Sequence, residues 1–332
     1  MRMASRYFCE IASTYKGNTA IMAVKFSGFI VSLIILISLI GFFGVVMPWL
    51  GLKSASEPVT SPPIDAIAYE EVSFNRDGLT LNGWWLEAEN PRATLLFVHG
   101  AGSSRVSPFF NTLGFYAQLQ RAGISVLTFD QRNHGSSDYT DGYLRMGATE
   151  HRDLLSAREW LAQRTENDVP TIICGLSMGG ATSIYALANG MLADGLLLFD
   201  PMLNTRDALE RGGWVGYGLP PVFFRPMAYL APLFWSLPYG KADALNVAKG
   251  LRLPIAIIQN REDPITRAQW SQQLAETSDW TSIEFVPKTA PNHDCLADKG
   301  RWGTHASSFH CHPDWTLNQV EHLLRRVNQP AA

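Results

Sequence analysis

Residues 174–180 read CGLSMGG, a serine held between glycines at 175 and 179. A serine hydroxyl is a poor nucleophile until a base takes its proton. The Gly-x-Ser-x-Gly pattern earns a catalytic reading only in context: a strand before it, a helix after it, and an acid and a histidine later in the chain. The other reading is a small-residue turn with an incidental serine. The run PTIICG before Ser177 reads as a strand, and the alanine-rich MGGATSIYALANG after it reads as a helix. Glycines suit such a turn because side chains there would collide with the neighbouring strand and helix. Met178 opens the helix, so its backbone N–H is one natural donor to an oxyanion.

The acid and the base should follow later strands. IIQNREDPIT places Asp263, with Glu262 beside it, just past an apolar run, and FVPKTAPNHDCL places His293 just past the next one. Asp263 also suits a turn or helix-cap role. The three residues in the order Ser177, Asp263, His293 favour catalysis. His305, His310 and His312 lie further on, in DCLADKGRWGTHASSFHCHPDW. They compete for the role of base, and His293 is preferred because it lies nearest the last strand. Cys311 with these histidines also raises a metal reading, but the spacing fits no familiar zinc pattern, and a surface loop is preferred.

The elements that must position these residues alternate. YEEVSF and LTLNGWWLEA flank the turn NRDG, a hairpin signal. Strands follow at 93–100, 124–130, 170–175, 194–201, 253–260 and 281–287, separated by helical patterns at 109–123, 149–165, 178–190 and 266–278, with a last helix at 315–327. Thr149 is a plausible cap for the second helix. A hairpin followed by strand–helix alternation predicts a mostly parallel sheet with helices on both faces. The acid and base then fall at the carboxyl ends of strands, where such sheets place their sites.

Ahead of this domain, residues 26–52 carry no charge. The run is long enough to cross a bilayer as a helix and longer than the apolar core of a cleaved signal peptide, the competing reading, for which SAS at 54–56 is a poor cleavage site. Arg2, Arg6, Lys16 and Lys25 precede it against Glu10 alone, which predicts a cytoplasmic N-terminus and an extracytoplasmic catalytic domain, periplasmic or on the outer face in a bacterium. Met22 offers an alternative start. The predicted organisation is a head at 1–25, a transmembrane helix at 26–50, a linker at 51–64 and a catalytic domain at 65–332. Across 332 residues the net charge is −3, which gives no basic field for nucleic acid. Four cysteines are too few for a disulfide scaffold. Cys295 and Cys311 stand out because both lie in the histidine-rich loop, and in an oxidising compartment a bridge between them would tie it down, with two free cysteines as the alternative.

NGWWLEA, LLFVHGAGSSR, VLTFDQRNHGSSD, MGATEHRDLLSAREWL, CGLSMGGATSI and LPIAIIQNREDPIT resemble the α/β-hydrolase superfamily over about residues 65–328. The nearest resemblance is to the serine aminopeptidase-like and monoacylglycerol-lipase-like hydrolases, including membrane-anchored members. It implies an α/β-hydrolase fold with an eight-stranded, mostly parallel sheet and a short lid at about 202–250. It also implies a second oxyanion N–H from Ala101, and structural rather than catalytic roles for Asp130, Arg132, His99 and His134. The family usually has glycine where this chain has Asn133. Residues 212–240 are rich in aromatics and carry five prolines, which argues against long helices there. A lid or pocket wall is preferred for them over a membrane-contacting patch or a packed connector. Together these readings predict a serine hydrolase acting on acyl esters, some of them lipid-like, with no metal or organic cofactor. Aminopeptidase or thioesterase chemistry on the same triad is the alternative within enzymes, and a silent anchored binding protein the alternative outside them.

Overall fold

The computed structural model of the chain describes residues 25–54, 56, 59, 67–164, 169–289 and 294–329. Eight strands form one sheet in the order β1-β2-β4-β3-β5-β6-β7-β8. The hairpin is β1 (Glu70–Arg76) and β2 (Leu79–Leu86), paired antiparallel around Asp77 and Gly78, both at positive φ. β2 lies antiparallel to β4 (Ile124–Phe129), and every later pairing is parallel. The central strands β3 (Ala93–Val98), β4, β5 (Thr171–Leu176) and β6 (Gly195–Phe199) are buried at every residue. Their unbroken apolar runs are what a sheet covered on both faces requires. β7 (Ile255–Gln259) and β8 (Thr281–Phe285) complete the sheet.

Two apolar cores flank it. One gathers Leu154, Leu161, Ile184 and Leu198 under the helices of one face, and the other gathers Phe97, Phe110, Phe115 and Leu323 on the opposite face. The expected helices are α2 (Thr112–Arg121), α3 (His151–Ala162), α4 (Met178–Ala188), α8 (Ala268–Thr277) and α9 (Pro313–Val327). Thr149 is not the cap of α3, which starts behind Glu150 without a side-chain cap.

The segment read as a lid differs from the sequence expectation. Despite its prolines it forms α5 (Thr205–Tyr217), α6 (Arg225–Trp235) and the short α7 (Ala244–Ala248). Pro226 sits in the first turn of α6, where no backbone N–H is needed, and only Pro232 interrupts the helix interior. Asn204 caps α5 by accepting from the Asp207 N–H at 2.9 Å.

At the start of the described chain, helix α1 (Lys25–Gly51) is long and apolar enough to cross a membrane, and its apolar window is almost wholly exposed. The expected linker does not begin at 51. Leu52 is buried in the core, Lys53 bridges Tyr143, and the Ser54 N–H donates to the Gly142 carbonyl at 2.8 Å. The segment after α1 is thus built into the domain.

Candidate active site

Ser177 occupies the one-residue turn between β5 and α4, at φ 53° and ψ −116°. This conformation is costly for a residue with a side chain, and packing on both sides holds it. A Cβ on Gly179 would lie 2.1 Å from the Val98 carbonyl oxygen, and one on Gly175 would lie 2.6 Å from Gly180 Cα. Glycine is therefore required at both flanks for the helix to approach the sheet this closely. Gly100 lies on the other side of the serine, its added Cβ falling 3.3 Å from Ser177 Cβ. That brings the turn at Ala101 beside the hydroxyl, while Met178 opens α4 with its N–H at the helix N-terminus.

The Ala101 loop is held from below by neutral imidazoles. His134 Nε2 accepts from the Gly102 N–H at 3.3 Å while its Nδ1 donates to the Arg132 carbonyl at 2.8 Å. His99 Nε2 accepts from the Gln131 N–H at 3.1 Å and its Nδ1 donates to the Gly100 carbonyl. Burial depresses the pKa of both rings, consistent with acceptor nitrogens that must stay unprotonated. Asp130 is fully buried and receives the Arg105 N–H at 2.7 Å and the Ser136 N–H at 2.9 Å, while Arg132 grips Asp153. These are scaffold contacts, as expected. Asn133 sits at φ 64°, which explains why a glycine would also serve there.

Asp263 lies just past β7, and Oδ1 accepts the N–H groups of Ile265 at 2.7 Å and Thr266 at 2.8 Å. Its Oδ2 faces a histidine 2.7 Å away, and the other ring nitrogen of that histidine is 3.1 Å from Ser177 Oγ. The histidine is His305. The sequence favoured His293, which lies outside the described residues, and read His305 as part of a surface loop. His305 is instead buried, at 4% exposure. The chain after β8 makes an excursion and returns. Cys295 and Cys311 are joined, their Cα atoms 5.5 Å apart, and His305 lies inside the ring they close. Cys311 therefore has no thiolate to offer a metal. Proximity along the chain to the last strand pointed to His293; the cysteine pair within the loop was the signal available for His305.

Three further contacts fix this loop. Asp200, at the end of β6, accepts the Ala306 N–H at 2.9 Å. Lys299 is buried and donates to the Phe109 carbonyl, and burial pushes its pKa down to about 8. Arg301 reaches over to lid helix α5, donating to the Val215 carbonyl at 2.8 Å. Burial works against protonation of His305, but the carboxylates of Asp263 and Asp200 outweigh it and raise its pKa.

The ligand atoms of Asp200, Asp263 and His305 lie within 4.8 Å of one another, close enough to suggest a cation site. Their hydrogen bonds argue otherwise. Asp200 receives Gln259 Nε2, the Asn260 N–H, Asn260 Nδ2 and the Ala306 N–H, and Asp263 receives two backbone N–H groups, the Thr266 hydroxyl and His305. The donors already surrounding both carboxylates account for their burial without a metal.

Residues 89–235 match the family model described as serine aminopeptidase, S33. That stretch contains Ala101 and Ser177 but ends before Asp263 and His305. An esterase from Pyrococcus furiosus is 21% identical, with a TM-score of 0.65, over 82% of this chain and 98% of that one. An alpha-beta hydrolase from Vibrio vulnificus is 20% identical, with a TM-score of 0.55, over 76% of this chain and 80% of that one. Est1E from Butyrivibrio proteoclasticus, solved with ferulic acid bound, is 15% identical, with a TM-score of 0.54, over 75% of this chain and 99% of that one. An uncharacterised abhydrolase domain-containing protein of Dictyostelium discoideum is 30% identical over 116 residues, 34% of this chain and 11% of that protein. The chain thus spans about a tenth of that curated relative's length.

Proposed function

We propose that this chain, which has the α/β-hydrolase fold, is a serine esterase in which Ser177 is the nucleophile, His305 the base and Asp263 the residue that orients the base. One observation carries the reading: a single buried imidazole lies 2.7 Å from Asp263 Oδ2 and 3.1 Å from Ser177 Oγ. Ser177 Oγ attacks the acyl carbonyl as His305 Nε2 takes its proton. The tetrahedral oxyanion is met by the N–H groups of Ala101 and Met178, a contribution of about 3 kcal/mol per donor in comparable sites. The proton passes from His305 to the leaving alkoxide. Water, deprotonated by the same nitrogen, then releases the acid and restores the serine.

The matched family description brings aminopeptidase chemistry into consideration. An aminopeptidase needs a carboxylate to hold the substrate ammonium, and the acids of the lid are engaged. Asp207 takes Arg267 and the Trp270 indole, Glu210 takes Arg225, and Asp243 takes the N–H groups of Thr205 and Gly240. Ester over aminoacyl amide is the preference these pairings support. The test is a hydrolysis panel of acyl esters, thioesters and aminoacyl amides over a range of chain lengths. Esters should turn over fastest, and a preference for aminoacyl amides would move the assignment to peptidase.

For localisation, the reading is a retained single-pass anchor with the catalytic domain outside the cytoplasm. The Leu52–Ser54 contacts support retention, since cleavage in this stretch would remove residues that the domain uses. The Cys295–Cys311 bridge supports an oxidising compartment.

A further inference from the structure

The lid presents an apolar face that the described residues leave largely uncovered. Val222, Phe223, Tyr229, Leu233 and Phe234 are each more than half exposed, although Met227, Ala228 and Ala231 on the same segment already fill the core. Helix α6 is therefore apolar on two sides. Between 212 and 240 the only charged residue is Arg225, and it is paired with Glu210. Apolar exposure on this scale marks an interaction surface.

The contact that identifies the partner is with α1. Gly44 lies against Phe234, where an added Cβ would fall 2.8 Å from the ring. Pro48 has no N–H, so it cannot supply the usual i+4 donor to the Gly44 carbonyl. The Trp235 indole donates to that carbonyl instead, at 3.1 Å. This junction coincides with a wider, i→i+5 turn of α1 at Phe42–Val46. A helix rises about 1.5 Å per residue, so about 20 residues from Lys25 cross the apolar core of a bilayer and reach the far boundary near Gly44. The lid is thus docked on α1 at the depth where the hydrocarbon ends. Trp49 is exposed on α1 in the same region, in keeping with the preference of tryptophan for that boundary.

We propose that the exposed face of 222–234 lies in the membrane interface beside α1, so that the Ser177 site receives its acyl substrate from the adjoining leaflet. The substrate class is then an amphiphilic ester whose acyl chain resides in the bilayer. The inference rests on the readings of α1 as a retained anchor and of Ser177 as an acyl hydrolase. Both are controlled separately below. Lid helix α5 carries the same position to the base, since Arg301 in the His305 loop holds the Val215 carbonyl.

The test uses the full chain in phosphatidylcholine vesicles, with Cys9→Ser to remove the one cysteine outside the described residues. An environment-sensitive fluorophore is placed on Leu233→Cys or, as a control, on Leu192→Cys, an exposed position at the opposite end of the strands. Vesicle binding should blue-shift the probe at 233 and doxyl-labelled lipid should quench it, with the probe at 192 unchanged by either. Phe223→Asp with Leu233→Asp should lower hydrolysis of a long-chain acylglycerol in vesicles by roughly tenfold, as when an interfacial apolar face is charged. Hydrolysis of a water-soluble short-chain ester should not change. Equal spectra at 233 and 192, or equal losses on both substrates, would overturn the proposal. Release of the protein by alkaline extraction would instead refute the anchor, and failure of a fluorophosphonate to label Ser177 would refute the hydrolase reading.

Discussion

Asp200 Oδ2 accepts the backbone N–H of Ala306 at 2.9 Å, one residue beyond His305. Its other oxygen accepts the Asn260 N–H at 2.7 Å, three residues before Asp263. One buried carboxylate at the end of β6 thereby joins the base loop to the acid loop. Burial, and then the charge of Asp263, raise its own pKa to about 7. Asp200→Asn exchanges an acceptor for a donor facing N–H groups, and it should destabilise the protein by about 1–3 kcal/mol. It also removes one of the charges that raise the His305 pKa. The acid limb of kcat/KM should therefore move to lower pH in the variant. An unchanged limb would show that Asp200 acts only as a strut.

The wild-type pH profile follows from the same site. In the proposed reaction His305 must be neutral to accept the serine proton, and its pKa lies above the usual 6.5. Activity should be low in acid and rise through a midpoint above 6.5. A midpoint clearly below that value, measured in kcat/KM on a soluble ester, would contradict the balance in which the carboxylates outweigh burial.

Stability should run in the same direction for a different reason. His99 and His134 have pKa values held below 6.5, first of all by burial. The unfolded chain binds protons that the folded chain excludes, so the stability these rings contribute is present above pH 6.5 and lost as pH falls. Urea unfolding from pH 8 to pH 5 should show a falling midpoint, with a shallower fall in His134→Gln. Equal slopes would remove His134 from that account.

Reduction probes the base loop. Closing a ring of this size contributes about 3 kcal/mol in the chain-entropy model. Cys295→Ser with Cys311→Ser should lower the unfolding free energy by about that amount and reduce kcat more than it changes KM, because the loop carries the base and not the nucleophile. Alkylation of both cysteines in the native, unreduced protein would contradict the bridge.

Much of this site was legible in the sequence, for physical reasons. The glycines around Ser177 have no alternative once helix and sheet must touch, and Asp263 follows β7 as the order of elements requires. The lid helices escaped notice because proline was weighed as a breaker without regard to position, and Pro226 falls in a first turn where it costs nothing. His305 escaped because its place depends on a covalent ring and on Asp200, both contacts across long stretches of chain. No local pattern distinguishes a histidine on a surface loop from one folded back beneath it.

The most direct test of the central claim is the rate of fluorophosphonate capture, with the adduct located by peptide mass, in the wild type, His293→Ala and His305→Ala. The account predicts an adduct on Ser177, a rate unchanged in His293→Ala, and a loss of roughly 10³-fold or more in His305→Ala, the scale seen when a triad base is removed. An adduct elsewhere, or a collapse in His293→Ala with His305→Ala unaffected, would contradict it.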